Sequence, residues 1–311
     1  MLRCIPALHD VPQIQDEEYR ENLAAAAVIL RQFEEMDQDE DGGKEADGAR
    51  PNVHGDVVSP TDLGTRESSQ SSDHGVNFLD ITKAILRTTT TSGCNGLTDA
   101  VGWLALRQEI YYAFSLGRSP QISLPHEQER EASLVNKVIL HTYQVAKWNY
   151  GDKTVQEWER LKAQEEAVET DCCSHFTPVL KRQADKSRGE VFPLIWYASD
   201  GEVTATQHFI LGRTVLIAEN PNLEHAPDRG LSREAEHQVR SHILQLCGLA
   251  MHHLGSAPNL VTAALGIMLY GDYFQDPWER AALLRVLDEW KSKHAWPVRK
   301  AYQMMGVQLT P

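Results

Sequence analysis

Few places in this 311-residue chain combine residue types and spacing that could do chemistry. In "DYFQD" at 272–276, Asp272 and Asp276 stand four apart. On one helix they would share a face and could hold magnesium against a diphosphate, as in an all-α enzyme of terpene-cyclase type. Pro277 follows at once, however, and "DPWE" is a helix start with Asp276 as its cap. No Asn/Ser/Glu partner motif accompanies the pair. Cys172, Cys173 and His175 form a second cluster, and Cys247 with His252 and His253 a third. A structural zinc needs two spaced ligand pairs, and neither cluster has an answering pair. Cys247 lies beside an apolar helical stripe, where a small thiol packs as core. "DQDEDG" at 37–42 matches the start of a calcium loop through Asp37, Asp39, Asp41 and Gly42. Lys44 then takes an apolar position, Gly48 the place of the bidentate Glu, and Pro51 follows. The expectation is no catalytic residue, no metal and no cofactor. The phosphate-loop, nucleophile-elbow, dinucleotide and zinc-protease motifs are likewise missing.

"VGWLALRQEIYYAF" at 101–114 sets Arg107, Gln108 and Glu109 inside an apolar run. Trp103, Leu106, Ile110 and Phe114 share one helical stripe, with Leu104 and Tyr111 in a neighbouring one. The triplet therefore reads as the narrow wet edge of a deeply packed helix. Arg107 is expected to bond or ion-pair between helices, with a ligand contact as the alternative. If a small effector binds between helices, the faces of Trp103, Arg107, Tyr111, Trp148 and Trp196 are the candidates. Core packing is the competing role of the tryptophans.

The elements that must carry these residues are helical. A first helix is expected over 17–36, with Leu23, Ala27, Leu30 and Phe33 on one face beside Ile29 and Met36. From Asp37 to Gly75, six apolar residues in 39, with ten acids against three bases, predict a long disordered acidic loop. Val135, Ile139, Tyr143, Ala146 and Tyr150 trace a stripe, broken at Gly151-Asp152. "TVQE" at 154–157 has capping-box form and opens a helix with Trp158 and Leu161 inward. Val239, Ile243, Leu246 and Ala250 give another face over 232–254. After "DPWE", Leu283, Leu287 and Trp290 point inward, and Pro297 opens a short last helix. "RTVLIAEN" at 213–220 has β-branched residues but no recognisable partner strand, so it too is read as helix. The fold class is all-α, a large array of packed antiparallel helices forming one domain over 1–311, with 37–75 as an insertion.

Composition narrows the function. The net charge of −14, from 44 acids and 30 bases, with no run of three Lys or Arg, opposes direct nucleic-acid binding. Five scattered cysteines give no disulfide framework and suggest a reducing compartment. "MLRCIPALHDVPQ" is not a signal peptide, and "LVTAALGIMLYG" at 260–271 is too short to span a bilayer, so no membrane is expected.

Several stretches in order resemble the regulatory region of fungal binuclear-zinc-cluster transcription factors. They are "LRCIPAL" (2–8), "AAAVILRQFEEMD" (25–37), "GWLALRQEIYYAF" (102–114) and "KWNYGDKTVQEWERL" (147–161). "GEVFPLIWYASDGEVTATQHFILGRTVLIAENP" (189–221), "LCGLAMHH" (246–253) and "WPVRKAYQMM" (296–305) complete the set. The resemblance implies an all-α, nuclear regulatory domain without catalytic residues. Its partners would be transcription machinery or co-regulator proteins, and it could take a small effector. Family members carry six cysteines near the N-terminus that hold two zinc ions and read DNA. Five dispersed cysteines cannot reproduce that cluster, so DNA binding does not carry over. The expectation is either a truncated gene model or a stand-alone regulatory module.

Overall fold

The segment Ala257–Tyr270 carries no charged side chain, so it can be stable in water only with every face covered. In the computed structural model it packs among several other helices. The structure describes residues 16–41, 78–88, 96–223, 229–293 and 298–307. These fall into two compact units, Met1–Ile85 and Leu86–Pro311.

In the first unit, α1 (Glu17–Asp41) buries Leu23 and Ala27 of the expected face, together with Ala24 and Val28, while Leu30 is half-buried. Ile29 instead is exposed, and Arg31 is wholly buried. The helix runs five residues past its expected end and takes in Asp37, Asp39 and Asp41. The start of the expected acidic loop is thus helical; Glu40 and Gln38 are good helix formers that let the preceding periodicity continue. The rest of that segment, from Gly42 to Gly75, lies outside the described residues, as do Pro297 and the "LRCIPAL" stretch. The second helix, α2 (Phe78–Thr88), buries Ile81 and Thr82.

The second unit contains α3 (Leu97–Leu116), α4 (His126–Arg130), α5 (Leu134–Asn149) and α6 (Val155–Asp171). After a short hairpin come α7 (Asp200–Ala218), α8 (Arg229–His252), α9 (Ala257–Tyr270), α10 (Pro277–Lys293) and α11 (Arg299–Met304). Helix α9 packs against α8, α11, α10, α7 and α3, and α5 lies along α7 over the longest contact. Val239, Ile243, Leu246, Ala250, Leu283 and Leu287 are fully buried, so the sequence-derived faces form the core. The stretch "RTVLIAEN" runs through the end of α7, where Thr214, Val215 and Leu216 are buried.

Polar bonds fix the helix crossings. Thr142 on α5 donates to the His208 carbonyl of α7 at 2.8 Å. The two backbones meet there because Gly212 has no side chain; a Cβ would sit 3.3 Å from Thr142 Oγ1. Gln207 Nε2 ties α7 to α8 and α9 through the carbonyls of Leu246 at 3.3 Å and Asn259 at 3.0 Å. Starts follow the sequence: Thr154 Oγ1 accepts from the Glu157 amide, and Asp276 Oδ1 accepts from the amides of Trp278 (2.8 Å) and Glu279 (3.0 Å).

The hairpin is the departure from a purely helical array. Strands β1 (Leu180–Arg182) and β2 (Leu194–Trp196) pair antiparallel, with Leu180 opposite Trp196. At three residues each they are too short for alternation to signal them. Tertiary packing creates them instead: β2 lies on α8, where Gly248 admits the backbone so closely that a Cβ would be 2.4 Å from Pro193 O.

Candidate functional site

The polar triplet of α3 is not a wet edge. Gln108 is 8% exposed and Glu109 only 1%, whereas Leu104 is the exposed position at 38%. Glu109 is buried because it has work inside: Oε2 accepts from the amides of Gln121 and, at 3.3 Å, Ile122. Tyr143 on α5 donates its hydroxyl to the Ile122 carbonyl at 2.6 Å. Two buried side chains thus clamp the loop that follows α3, and burial among carboxylates drives the Tyr143 phenol well above its ordinary pKa.

Trp103 and Tyr111, from the same helix, are core residues. Arg107 is half-buried, and burial lowers its pKa. It makes neither the hydrogen bond nor the ion pair expected of it among the described residues; its charge bears on His208 of α7. Trp148 is buried, donates Nε1 to the Thr154 carbonyl at 3.0 Å and lies under the Lys153 ammonium at 5.9 Å. Trp196 stands 49% exposed on β2, stacked on His253 with ring centroids 6.2 Å apart. Of this set, Trp148 lines a cleft of the second unit.

The other candidates divide similarly. Asp272 sits in a single 3₁₀ turn (Gly271–Tyr273) and Asp276 caps α10, so the shared helical face needed for a magnesium pair does not form. Cys172 ends α6 buried, and burial beside Cys172 and Glu169 pushes the Cys173 thiol up to about 12. Cys247 is wholly buried on α8, and burial likewise raises its pKa. Thiols so protonated are poor nucleophiles. No group of three His, Cys, Asp or Glu that could hold a metal occurs among the described residues.

Where α5 to α8 meet, the sequence hides an ionic cluster. Glu165 of α6 is 2% exposed; its Oε1 accepts from Lys162 at 2.7 Å and from Arg213 of α7 at 3.1 Å. Arg213 also forks onto Glu169 and covers the Phe209 ring at 4.4 Å. His141 of α5 and His242 of α8 border the cluster, each lowered to about 4 chiefly by burial. Thr214 Oγ1 lies 3.3 Å from His242 Nδ1. His208, also lowered to about 4 by burial, donates Nδ1 to the Thr204 carbonyl at 2.8 Å. Glu165 is the buried end of the cluster and Glu169 its exposed end, and Arg213 joins the two, tying α6 to α7.

Open space among the described residues includes two clefts. One cleft, about 610 Å³, lies around Tyr143, Lys147, Trp148 and the Gly151–Thr154 turn. The other, about 450 Å³, lies between the hairpin loop, α8 and the start of α10. Its apolar wall is Val191, Pro193, Leu244 and Trp278, which is 43% exposed. Its acids are already committed. Glu190 accepts both Arg182 nitrogens at 2.6 and 2.9 Å and the Asp185 amide, which holds it down to about 2. Asp276 is the α10 cap, and Glu279 pairs with Arg240 at 2.5 Å. The amides of Glu279 and Trp278, with the nearby Lys186 and Arg240 charges, hold the Asp276 carboxyl below its usual range, and the Arg240 Nε is buried without a hydrogen-bond partner. Sequence spacing could not find this arrangement, because Arg240 and Glu279 are 39 residues apart. No family model matches the chain, and no curated protein or solved structure matches it.

Proposed function

We propose that this chain is a regulatory domain for transcription, responsive to an effector or a protein partner, and acting in the nucleus through co-regulators. One observation carries this reading. Four of the segments that resemble the regulatory region of fungal zinc-cluster factors interlock within the second unit. "GWLALRQEIYYAF" lies in α3, "KWNYGDKTVQEWERL" links α5 to α6, the long 189–221 segment forms β2 and α7, and "LCGLAMHH" ends α8. Helices α3 and α5, α5 and α7, α7 and α8, and α8 with β2 are in mutual contact. A resemblance confined to surface loops would say nothing about a shared fold; here it follows the residues that build the core. A fluorescently tagged chain expressed in a fungal cell is expected to accumulate in the nucleus and to co-purify with transcriptional co-regulators. A tag spread through the cytoplasm, with no such proteins recovered, contradicts the proposal.

A further inference from the structure

Strand β1 is a sheet edge. Among the described residues its backbone bonds run only to β2, which leaves its outer row of amides and carbonyls unpaired. Ile195 is 4% exposed, because its face of the hairpin rests on α8. Leu180 and Trp196 stand directly opposite one another on the outward face, 47% and 49% exposed. Lys181 is paired with Ile195 on the inner face yet is exposed as well, so β1 overhangs the helix. The other charges of the hairpin are answered. Glu190 takes the Arg182 fork and lies 3.8 Å from Arg188. Asp185 holds the Ser187 amide and hydroxyl, and Lys186 acts on Asp276 of α10. Lys181 has no hydrogen bond or ion pair among the described residues. The edge therefore offers free backbone groups, an apolar row and one cation without a counter-charge.

We propose that β1 docks an extended acidic peptide segment of a partner protein, which adds as a third strand with a carboxylate opposite Lys181 and an apolar residue opposite Leu180. In strand addition the backbone bonds supply affinity and the alternating side chains supply selectivity. The apolar residue lengthens the row formed by Trp196 and Leu180, and the acid completes a cross-strand ion pair. A second copy of this chain fits the edge poorly. Antiparallel pairing of two β1 strands centred on Lys181 sets lysine against lysine, and like charges directly opposite are destabilising. This assignment stands apart from the regulatory reading, because it concerns binding by the isolated chain and needs no transcriptional output.

The probe is a blocked, fluorescein-labelled heptapeptide of alternating valine and glutamate, titrated with the whole chain and followed by anisotropy. A copy with lysine in place of glutamate is expected to bind about tenfold more weakly, and a copy with proline at its centre at least tenfold more weakly. Lys181→Glu should weaken the glutamate peptide about fivefold and strengthen the lysine peptide, while Lys147→Glu, remote on α5, changes neither. Lys181 is exposed, so its variants are expected to fold, as circular dichroism will check, and Lys181→Gln serves in place of Lys181→Glu if that variant does not. Sedimentation of the parent chain should show a monomer. Absence of binding, equal affinity for the two charged peptides, tolerance of the proline, or indifference to Lys181→Glu overturns the proposal. A parent dimer that Lys181→Glu dissociates also overturns it, in favour of a second copy on this edge.

Discussion

Replacing Glu109 with Ala removes the acceptor that holds the loop after α3. In the parent chain the carboxylate takes the amides of Gln121 and Ile122 at a site 1% exposed. Hydrogen bonds to a buried charged group contribute about 1.5–3 kcal/mol each. Gln121 is exposed and its amide can turn to water, whereas Ile122 is 2% exposed and its amide cannot. The expected loss is therefore about 3 kcal/mol, less than twice the single-bond maximum. For a unit of this size that corresponds to about 6–12 °C in Tm. Glu109→Gln keeps an oxygen for both amides and should cost only about 1 kcal/mol. Tyr143→Phe removes the bond to the Ile122 carbonyl, so its effect should couple to that of Glu109→Ala by more than about 0.5 kcal/mol. Urea unfolding followed at 222 nm gives all three values. Hydrogen exchange across 117–125 should accelerate in the Ala variant alone. If Glu109→Ala and Glu109→Gln both stay within about 0.5 kcal/mol of the parent, the carboxylate is not the clamp described.

Gly248→Ala should destabilise by about 1–3 kcal/mol despite the better helix propensity of alanine, because its methyl meets Pro193 O; equal or higher urea midpoints contradict the close approach. His141, His208 and His242 are held neutral by burial, each with its pKa lowered to about 4. The unfolded chain takes up these protons first, so stability is full above about pH 6.5 and falls as pH drops toward 4, by up to about 1.4 kcal/mol per histidine per pH unit. Urea midpoints that are flat from pH 7 to 5 exclude this linkage. Arg107→Met removes a half-buried guanidinium that bonds no acceptor among the described residues, and should leave stability unchanged or raise it by about 1 kcal/mol. A loss above about 2 kcal/mol reveals a partner for that charge.

The legible part of the fold was periodic. The stripe through Ile139, Tyr143 and Ala146, the core face of α8, and the caps at Thr154 and Asp276 follow from spacing and local chemistry. What stayed hidden depends on contacts far apart in the chain. Arg107-Gln108-Glu109 reads as a polar edge until Gln121 and Ile122, a loop away, claim the carboxylate. Glu165 meets Arg213 across 48 residues, and no periodicity pairs them. The hairpin exists because Pro193 rests on Gly248, not because its three-residue strands prefer extension. Trp278 was legible as part of a helix start, but its place in a cleft depends on the loop carrying Lys186. Spacing placed Trp103 and Tyr111 on neighbouring stripes of a deeply packed helix, and both lie in the core, as large aromatics on a buried helix do.

The regulatory account is tested most directly by tethering. The whole chain, fused to a heterologous DNA-binding domain in a fungal cell, is placed upstream of a reporter with the matching operator. The account predicts that the fusion changes reporter transcription at least several-fold relative to the DNA-binding domain alone. A fusion of equal abundance whose reporter output matches that of the DNA-binding domain alone would contradict it.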